Sequence, residues 1–426
     1  MKLNRHKLFL FYLFWGLLFP NFYSIFATRG AIFVNASLML MPIIYLIISQ
    51  KVMLRFQSES HLSFNNYIKV PIYFIFAIPF GIILGIWLLG NNLVIRDIFE
   101  FHRPIFWLIV FSTGYFYFAK SFNEPVIRRV IISIFLICAT MGICQFLTVN
   151  LAFFNLYIKA ENYFSFRIAA PFPNPYDYGF VMIFMSLYFM CLFLNTSKAI
   201  YLFLIILSGA LIALTQSRSM VLAFLLANIL LLPLFASFVF GSIFRGRLSR
   251  TDLLIILVPL LIISVGTFAV LYFQDNFRYL VRGFMKMAAN PMYNGVTGSR
   301  LDQMSYILST ITQNPILVLF GNGPAKGEYD SMESIYVYFL FRYGVIGLIV
   351  GFLFPALYSS YCSKIVAKTY SHRSNEYIFF RFLQFWFLAV PLISIANNHT
   401  EQIRVSFFYT LLLGLVAARR DALKRT

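Results

Sequence analysis

The chain has 426 residues, of which 60% are hydrophobic and only 12% are charged, and its formal net charge is +19. Its apolar residues form runs such as LLIILVPLLIISVGTFAVLYF, which are apolar on every face of a helix and long enough to cross a hydrocarbon core. This composition excludes a water-soluble globular protein, and the lack of period-two alternation excludes an outer-membrane barrel. The basic residues fall in short clusters between apolar runs, so membrane topology explains them better than nucleic-acid binding.

Hydropathy predicts an all-α integral membrane protein with about twelve transmembrane helices. The opening MKLNRHK resembles the start of a signal peptide, but the apolar run after it is long and a second span follows almost at once. An uncleaved membrane anchor is therefore expected. The predicted spans are residues 8–27, 31–49, 70–89, 104–119, 127–148, 176–194, 199–214, 219–240, 253–273, 333–359, 377–396 and 403–418.

Both ends of the chain are basic, with MKLNRHK at the start and ARRDALKRT at the finish. Cytoplasmic segments carry an excess of Lys and Arg, and an even number of spans places both termini on one side of the membrane. Both termini are therefore predicted to be cytoplasmic. With that orientation the cytoplasmic segments hold 20 of the 34 Lys and Arg residues, and the outer segments hold 12.

The basic residues on the predicted outer side are informative because the positive-inside rule disfavours them there. Nine of the twelve are Arg, whose planar guanidinium binds phosphate and carboxylate groups. Lys would set the membrane orientation equally well, so the preference for Arg indicates another role. These basic residues indicate a site for a phosphorylated or acidic ligand, although anchoring to lipid headgroups accounts better for Arg29, Arg96 and Arg103. The twelve are Arg29, Arg96, Arg103, Lys159, Arg167, Arg218, Arg278, Arg282, Lys286, Arg300, Lys326 and Arg404.

One long outer loop, at residues 274–332, interrupts the spans. It divides the chain into nine spans at 1–273, the loop itself, and three spans with a cytoplasmic tail at 333–426. A connection of this length usually carries function.

The loop is predicted to be partly helical. FRYLVRGFMKMAA places Arg278, Arg282 and Lys286 four residues apart on one face, which is typical of an amphipathic helix at the membrane interface. A second helix is expected at 299–312, between Ser299 as N-cap and the Asn-Pro that follows.

Two short outer segments place arginine beside unusual backbone. In FRIAAPFPNPYDYGF, Arg167 precedes three prolines and then Asp177, which predicts a rigid, irregular rim at the membrane surface. In TQSRSM, Arg218 begins the eighth predicted span next to several hydrogen-bonding side chains. Each segment indicates a ligand pocket, while a stiff turn and a snorkelling arginine remain the structural alternatives.

Acidic and histidine side chains accompany these arginines on the outer side. Asp330, Ser331 and Glu333 lie at the start of the tenth span, after a glycine-rich segment, GNGPAKG, whose backbone N–H groups are expected to approach an anion. The turn NNHTEQIR adds His399, Glu401 and Arg404. The carboxylates are equally compatible with ion-paired locks and with a catalytic base. No metal-ligand spacing occurs among the cysteines and histidines.

Together these features resemble the O-antigen polymerase and ligase superfamily, and the Wzy-type polymerases most closely. The resemblance covers roughly residues 160–415 and is carried by the span pattern, the long outer loop and short motifs. These are SR at Ser217 and Arg218, Arg300 followed by a helix and NP, then GNGP, and DS leading into YVYFLFRYGVIGL. It implies a GT-C-like fold and a glycosyltransferase on the periplasmic face of a bacterial inner membrane.

The resemblance also implies roles for residues. Arg218 and Arg300 match arginines that are thought to hold the diphosphate of an undecaprenyl-linked glycan donor, which reacts with a sugar hydroxyl of a second lipid-linked unit. A lipid diphosphate is a good leaving group that needs positive charge, so no metal or cofactor is expected. A chain-length regulator and a flippase are expected partners. The predicted substrate-binding residues are Arg167, Arg218, Arg278, Arg282, Arg300 and Arg404, and the candidate bases are Asp330, Glu333 and His399.

Two other functions stay open at this point. Ligases of the family carry a His next to Asn where this chain has Asp330 and Ser331, which favours a polymerase over a ligase. A flippase for lipid-linked oligosaccharide would also have about twelve spans and no metal site. Transporters usually carry charges at mid-membrane and show related halves, whereas the mid-span charges here are mainly Arg342 and Arg381.

Overall fold

The structure is a computed structural model of the chain. Its described residues contain helices and no strand, which confirms the all-α class for that part of the chain. The predicted span at 253–273, most of that at 219–240 and the first loop helix, with Arg278 and Arg282, lie outside the described residues. The described residues are 5–22, 25, 29–48, 62–149, 151–158, 167–228, 297–329, 332, 334–371, 374–396 and 398–423.

Most described helices overlap predicted spans, but the helix at the first span, predicted to reach residue 27, ends at Leu18, and the helix at the third span, predicted to begin at residue 70, begins at Leu62. We number them α1 Arg5–Leu18, α2 Arg29–Ile48, α3 Leu62–Leu89, α4 Ile95–Phe99, α5 His102–Lys120, α6 Glu124–Phe146, α7 Leu151–Phe154, α8 Pro175–Thr196, α9 Ala199–Leu214, α10 Arg218–Asn228, α11 Thr297–Ile311, α12 Pro315–Phe320, α13 Ile335–Leu348, α14 Phe354–Ala367, α15 Asn375–Ile393 and α16 Ile403–Ala422. A π-helical turn, Ile349–Leu353, joins α13 to α14.

Five helical stretches in the described part of the chain are long and apolar enough to cross a membrane. They are α3, α6, α8, α15 and the continuous stretch Ile335–Ala367 formed by α13 and α14. Large apolar side chains such as Phe76 and Trp87 are exposed on α3, as expected of a surface that lipid covers. These helices indicate a membrane protein, while the full count of about twelve spans stays a prediction.

The long helices run alternately up and down the bundle. We call one end, which carries segment 167–174 and the turns at 215–217 and 398–402, the loop end. The opposite end, which carries 120–123 and 419–423, is the tail end. This antiparallel order follows from the short connections, since helices joined by a few residues become neighbours that run in opposite directions.

At the tail end, the carboxylate of Asp421 joins three helices. It accepts hydrogen bonds from the backbone N–H groups of Ser63 (2.9 Å) and Phe64 (3.1 Å), at the start of α3. It also accepts one from the hydroxyl of Tyr115 (3.1 Å), in α5. The first N–H groups of a helix have no partner within it, so this carboxylate from α16 caps α3.

Helix α8 lies at the centre of the bundle and α3 at its edge. Of the most apolar stretch of each, 78% is buried inside the protein in α8 and only 28% in α3. Helix α16 is also central and approaches α5 closely through Gly114 and Gly414, because a Cβ atom at Gly414 would meet the backbone of Phe111.

Helix α13 is kinked where a glycine-rich loop inserts beside it. Gly344 has a φ of 64° inside the helix, and Gly321 in the loop has a φ of 70°. The carbonyls of Phe341 and Arg342 accept hydrogen bonds from Asn322 N (3.1 Å) and Gly323 N (2.9 Å). These two loop N–H groups are therefore bonded to the helix, which corrects the expectation that they face an anion.

Candidate functional site

Arg167 lies against the turn that leads into Arg218. Its Nε donates to the carbonyl of Thr215 (3.0 Å), and its guanidinium carbon lies 5.5 Å from the centroid of the Tyr176 ring. The next residue, Ile168, donates its N–H to the carbonyl of Leu214 (3.2 Å). The structure therefore brings the two predicted arginine segments, FRIAAPFPNP and TQSRSM, together at the loop end, with both arginines half-buried.

The amide of Gln145, at the end of α6, organises the irregular segment 167–174. Its Nε2 donates to the carbonyl of Arg167 (2.9 Å), and its Oε1 accepts from the N–H groups of Ala169 (2.8 Å) and Ala170 (3.0 Å). A proline-rich segment cannot satisfy these groups within a helix, so a side-chain amide does so. The segment then enters α8, whose N-cap is Asn174.

Arg404 contacts the other side of the same segment. Its Nη1 donates to the carbonyls of Leu17 (2.7 Å) and Pro171 (3.1 Å), and its Nη2 donates to the carbonyl of Phe19 and to Asn21 Oδ1 (2.8 Å). The residue is only 2% exposed. This guanidinium therefore holds the end of α1, segment 167–174 and the start of α16 together.

The remaining predicted arginines are placed less completely. Arg300 lies in α11, which packs on α13, but its side chain lies outside the described residues, as do Arg278 and Arg282. Tyr306, also in α11, lies 5.2 Å from the ring centroid of Tyr329 in the glycine-rich loop. Helix α11 thus lies beside the loop that precedes the predicted acidic residues.

His399 is enclosed by aromatic rings. The ring centroids of Phe180 and Tyr409 lie 5.0 Å from it and that of Phe352 lies 5.8 Å away. Its Nδ1 shares a hydrogen bond with Ser394 Oγ (3.0 Å). Burial disfavours the imidazolium and lowers the pKa of His399 to about 3, so the ring is neutral at physiological pH.

Lowering the pH is expected to destabilise the protein through His399. The unfolded chain protonates this residue near its ordinary value of 6.5, while the folded protein keeps it neutral, so the unfolded state binds more protons between these values. The free energy of unfolding should then fall by about 1.4 kcal/mol per pH unit below 6.5. Thermal unfolding in detergent between pH 5 and 6.5 measures this effect.

The matched variant is His399→Phe, which keeps an aromatic ring among Phe180, Phe352 and Tyr409 and removes the titrating group. We expect its free energy of unfolding to depend less steeply on pH than that of the parent, because the slope loses the part that comes from protonation of one histidine. The same pH slope in both proteins would contradict the assignment.

The other two candidate bases, Asp330 and Glu333, lie outside the described residues. Met332, which lies between them in the chain, is described. Its N–H donates to Glu401 Oε2 (3.4 Å), and its carbonyl accepts from Asn398 Nδ2 (3.3 Å). The backbone between the two predicted carboxylates is therefore attached to the turn at 398–402.

A cluster of buried and half-buried charged side chains at the loop end was not recognised as a unit from the sequence. Glu100, Arg103, Lys326, Arg342 and Glu401 come from four different segments. Glu401 Oε1 lies 3.0 Å from both Arg342 Nη1 and Lys326 Nζ, and Glu100 Oε1 lies 2.6 Å from Arg103 Nε and 3.5 Å from Arg342 Nη1. We call these five residues the charge cluster.

Electrostatics keep the two carboxylates of the charge cluster ionised. Burial alone would raise the pKa of Glu100, but Arg103, Arg342 and Lys326 outweigh it and hold this pKa at about 2. Burial likewise opposes ionisation of Glu401, and the same three cations lower its pKa. Burial and the neighbouring Arg342 lower the pKa of Lys326. The cluster joins α5, α13, the glycine-rich loop and the turn at 398–402.

The cluster corrects two expectations. Arg103 is paired with Glu100 and donates to the carbonyl of Thr400 (2.9 Å), so it is part of the protein interior and not a headgroup anchor. Arg342, expected as a mid-span charge, is fully buried in the cluster near the loop end. The sequence held a partial signal for the cluster, because Glu100 precedes Arg103 by three residues and Glu401 lies in a predicted outer turn. Only the fold shows that these segments meet.

Asp177, in the first turn of α8, is a further polar group of this region. Its carboxylate is fully buried, and Oδ2 accepts a hydrogen bond from Asn174 Nδ2 (3.0 Å). From the sequence, Asp177 was predicted to lie beside the proline-rich segment, and no function was predicted for it.

The loop end therefore gathers Arg167, the turn before Arg218, and Arg404 around segment 167–174, with the charge cluster beside them. In comparisons with known proteins, no family model and no curated protein matches this chain.

Proposed function

We propose that the protein is a membrane glycosyltransferase that polymerises oligosaccharide repeat units carried on undecaprenyl diphosphate, as O-antigen polymerases do. One observation carries the proposal. Arg167, at the start of segment 167–174, donates a hydrogen bond to Thr215, in the turn that leads to Arg218. Arg404 binds the carbonyl of Pro171 in the same segment. Three of the six arginines that were predicted to bind substrate thus lie in one region of a helical membrane protein.

The chemistry of a lipid diphosphate supports this assignment. When the glycosidic bond to the diphosphate breaks, negative charge develops on the leaving group, and preorganised guanidinium groups stabilise it. Half-buried Arg167 and Arg218 suit this role. Arg404 is buried and bonded to backbone carbonyls, so we assign it the task of positioning segment 167–174.

The attacking sugar hydroxyl of the acceptor unit must lose a proton. His399 is neutral but is enclosed by aromatic rings, which favours Asp330 or Glu333 as the base. Both flank Met332, whose backbone is attached to the turn at 398–402. In this proposal the reaction takes place on the periplasmic face of a bacterial inner membrane, and neither a metal nor a cofactor takes part.

The expected result of reconstitution is a ladder of longer glycans. Purified protein in liposomes is supplied with undecaprenyl-diphosphate-linked repeat units, and the products are resolved by gel electrophoresis and mass spectrometry. Transfer of a single glycan to a lipid A core acceptor, without a ladder, would assign a ligase. Movement of the lipid-linked unit across the bilayer without any lengthening would assign a flippase, and either outcome would overturn the proposal.

A further inference from the structure

An apolar cavity of about 80 Å³ lies between helices at the tail end, far along the bundle from the charge cluster. Most of its wall comes from α1, α5, α6 and α16, and apolar side chains dominate it. Polar groups are confined to one end of the wall, where Ser121 and Asn123 connect α5 to α6. Apolar cavities of this kind stay dry and accept apolar ligands. Representative lining residues are Phe9, Leu13, Phe118, Ile131, Phe408 and Leu412.

Three basic residues lie close in sequence to residues that line the polar end of this cavity. Phe9 stacks on Tyr117 with ring centroids 3.6 Å apart, which brings the first turn of α1, with Lys7, beside the last turn of α5, with Lys120. In α6, Arg129 Nε donates to the carbonyl of Pro125 (3.3 Å) and so lies near the start of that helix.

These three cations are exposed, and their charges are available to a ligand. Within the described ranges, neither Lys7, Lys120 nor Arg129 lies within 4.0 Å of a carboxylate oxygen of another described residue. Their neighbour Arg128 differs, because its Nε lies 3.9 Å from Glu124 Oε1. The helix turns next to the polar end of the cavity thus carry three exposed positive charges, which we call the basic rim.

We propose that this cavity and its basic rim form a binding site for an anionic phospholipid of the surrounding bilayer. The cavity receives part of an acyl chain, and Lys7, Lys120 and Arg129 bind the headgroup phosphate. The combination of an apolar recess with cations at one end matches an amphiphile with a negative headgroup. A zwitterionic lipid offers the chain without the net charge, and free phosphate offers the charge without the chain.

The test uses the full chain, purified in detergent and stripped of lipid, and follows its thermal unfolding while lipid is added. Phosphatidylglycerol is expected to raise the unfolding midpoint in a saturable manner, because a ligand that binds the folded state stabilises it. Phosphatidylcholine and inorganic phosphate are expected to have no such effect. An equal shift with phosphatidylcholine would overturn the role of the rim, and an equal shift with phosphate alone would overturn the role of the cavity.

A matched pair of triple variants tests the rim. Lys7→Gln with Lys120→Gln and Arg129→Gln should raise the half-saturating phosphatidylglycerol concentration about tenfold or more. The control removes three exposed charges that lie near the tail end but away from the cavity. Its substitutions are Lys69→Gln, Lys198→Gln and Lys364→Gln. Equal loss of lipid response in both triples would reduce the effect to general surface charge and overturn the site.

A third variant tests the cavity with all charges kept. Ile127 is half-buried and lines the cavity, so Ile127→Phe adds volume at a position with room to adjust. It is expected to weaken the response to phosphatidylglycerol while leaving the midpoint without lipid near that of the parent. An unchanged lipid response in a folded Ile127→Phe protein would contradict insertion of the chain. Glycan lengthening plays no part in these measurements, so they succeed or fail independently of the proposed enzymatic function.

Discussion

Replacement of either Arg218 or Arg300 by alanine is expected to abolish chain lengthening, so that single lipid-linked units accumulate. In the proposed reaction each guanidinium neutralises charge that develops on the departing diphosphate, and loss of one such group typically lowers kcat by about 100- to 1000-fold. The measurement is the length distribution of glycans formed by the reconstituted variants, compared with the parent at equal protein concentration.

Two other arginines serve as controls for this prediction. Arg96 is exposed on α4, on the same predicted side of the membrane, so Arg96→Ala removes one positive charge there and should leave the ladder intact. Arg404→Ala should instead lower the thermal stability, because it leaves buried backbone carbonyls without their donor. Normal chain lengths in Arg218→Ala and Arg300→Ala would remove both residues from the mechanism.

Glu401→Gln is expected to lower the free energy of unfolding by about 3 kcal/mol, because breaking a buried ion pair leaves uncompensated charge. Glu401 Oε1 lies 3.0 Å from both Arg342 Nη1 and Lys326 Nζ, and 3.8 Å from Arg103 Nη2. The glutamine keeps the shape of the side chain and removes the charge that these three cations share. Chemical or thermal unfolding in detergent measures the difference.

Glu328 provides the matched control, since it directly follows the glycine-rich segment that carries Lys326 and its side chain is exposed. Glu328→Gln should change the stability by less than about 0.5 kcal/mol. The pKa of Glu100 is depressed to about 2, so its contribution is complete above the ordinary value of 4.5 and is lost as the pH falls through 2. Burial opposes ionisation of Glu401, but the three cations of the cluster lower its pKa, so the penalty of Glu401→Gln should persist at pH 5. Equal stability of the two variants would contradict the role of the cluster.

The helices were predictable because lipid-facing segments must be apolar on every side. The predicted span at 70–89 lies within α3, and the predicted loop helix at 299–312 matches α11, Thr297–Ile311, to within two residues. The kink in the tenth span was not predicted. It depends on Gly344, where the backbones of α12 and α13 meet, and contacts of that kind leave no periodic signal in the sequence.

The candidate site was predictable in its residue types and less so in its arrangement. The positive-inside rule disfavours arginine on the outer side and so pointed to Arg167 and Arg404. The fold places Arg167 at the start of segment 167–174 and Arg404 against the Pro171 carbonyl of the same segment. The sequence did not reveal that Arg404 is buried, because only the packing of α1 and segment 167–174 against α16 supplies the carbonyls that it binds. The charge cluster was missed for the same reason, since Glu100 and Glu401 are brought together by the fold alone.

The capping of α3 by Asp421 bears on how the protein matures in the membrane. The carboxylate belongs to α16, at the far end of the sequence from the Ser63 and Phe64 amides that it binds. A nascent chain inserts α3 long before this aspartate leaves the ribosome, so water or headgroups must solvate those amides in the meantime. The start of α3 and the end of α16 therefore become mutually dependent only once α16 has been synthesised, and replacing Asp421 by a residue without a carboxylate would leave the amides of Ser63 and Phe64 without this cap.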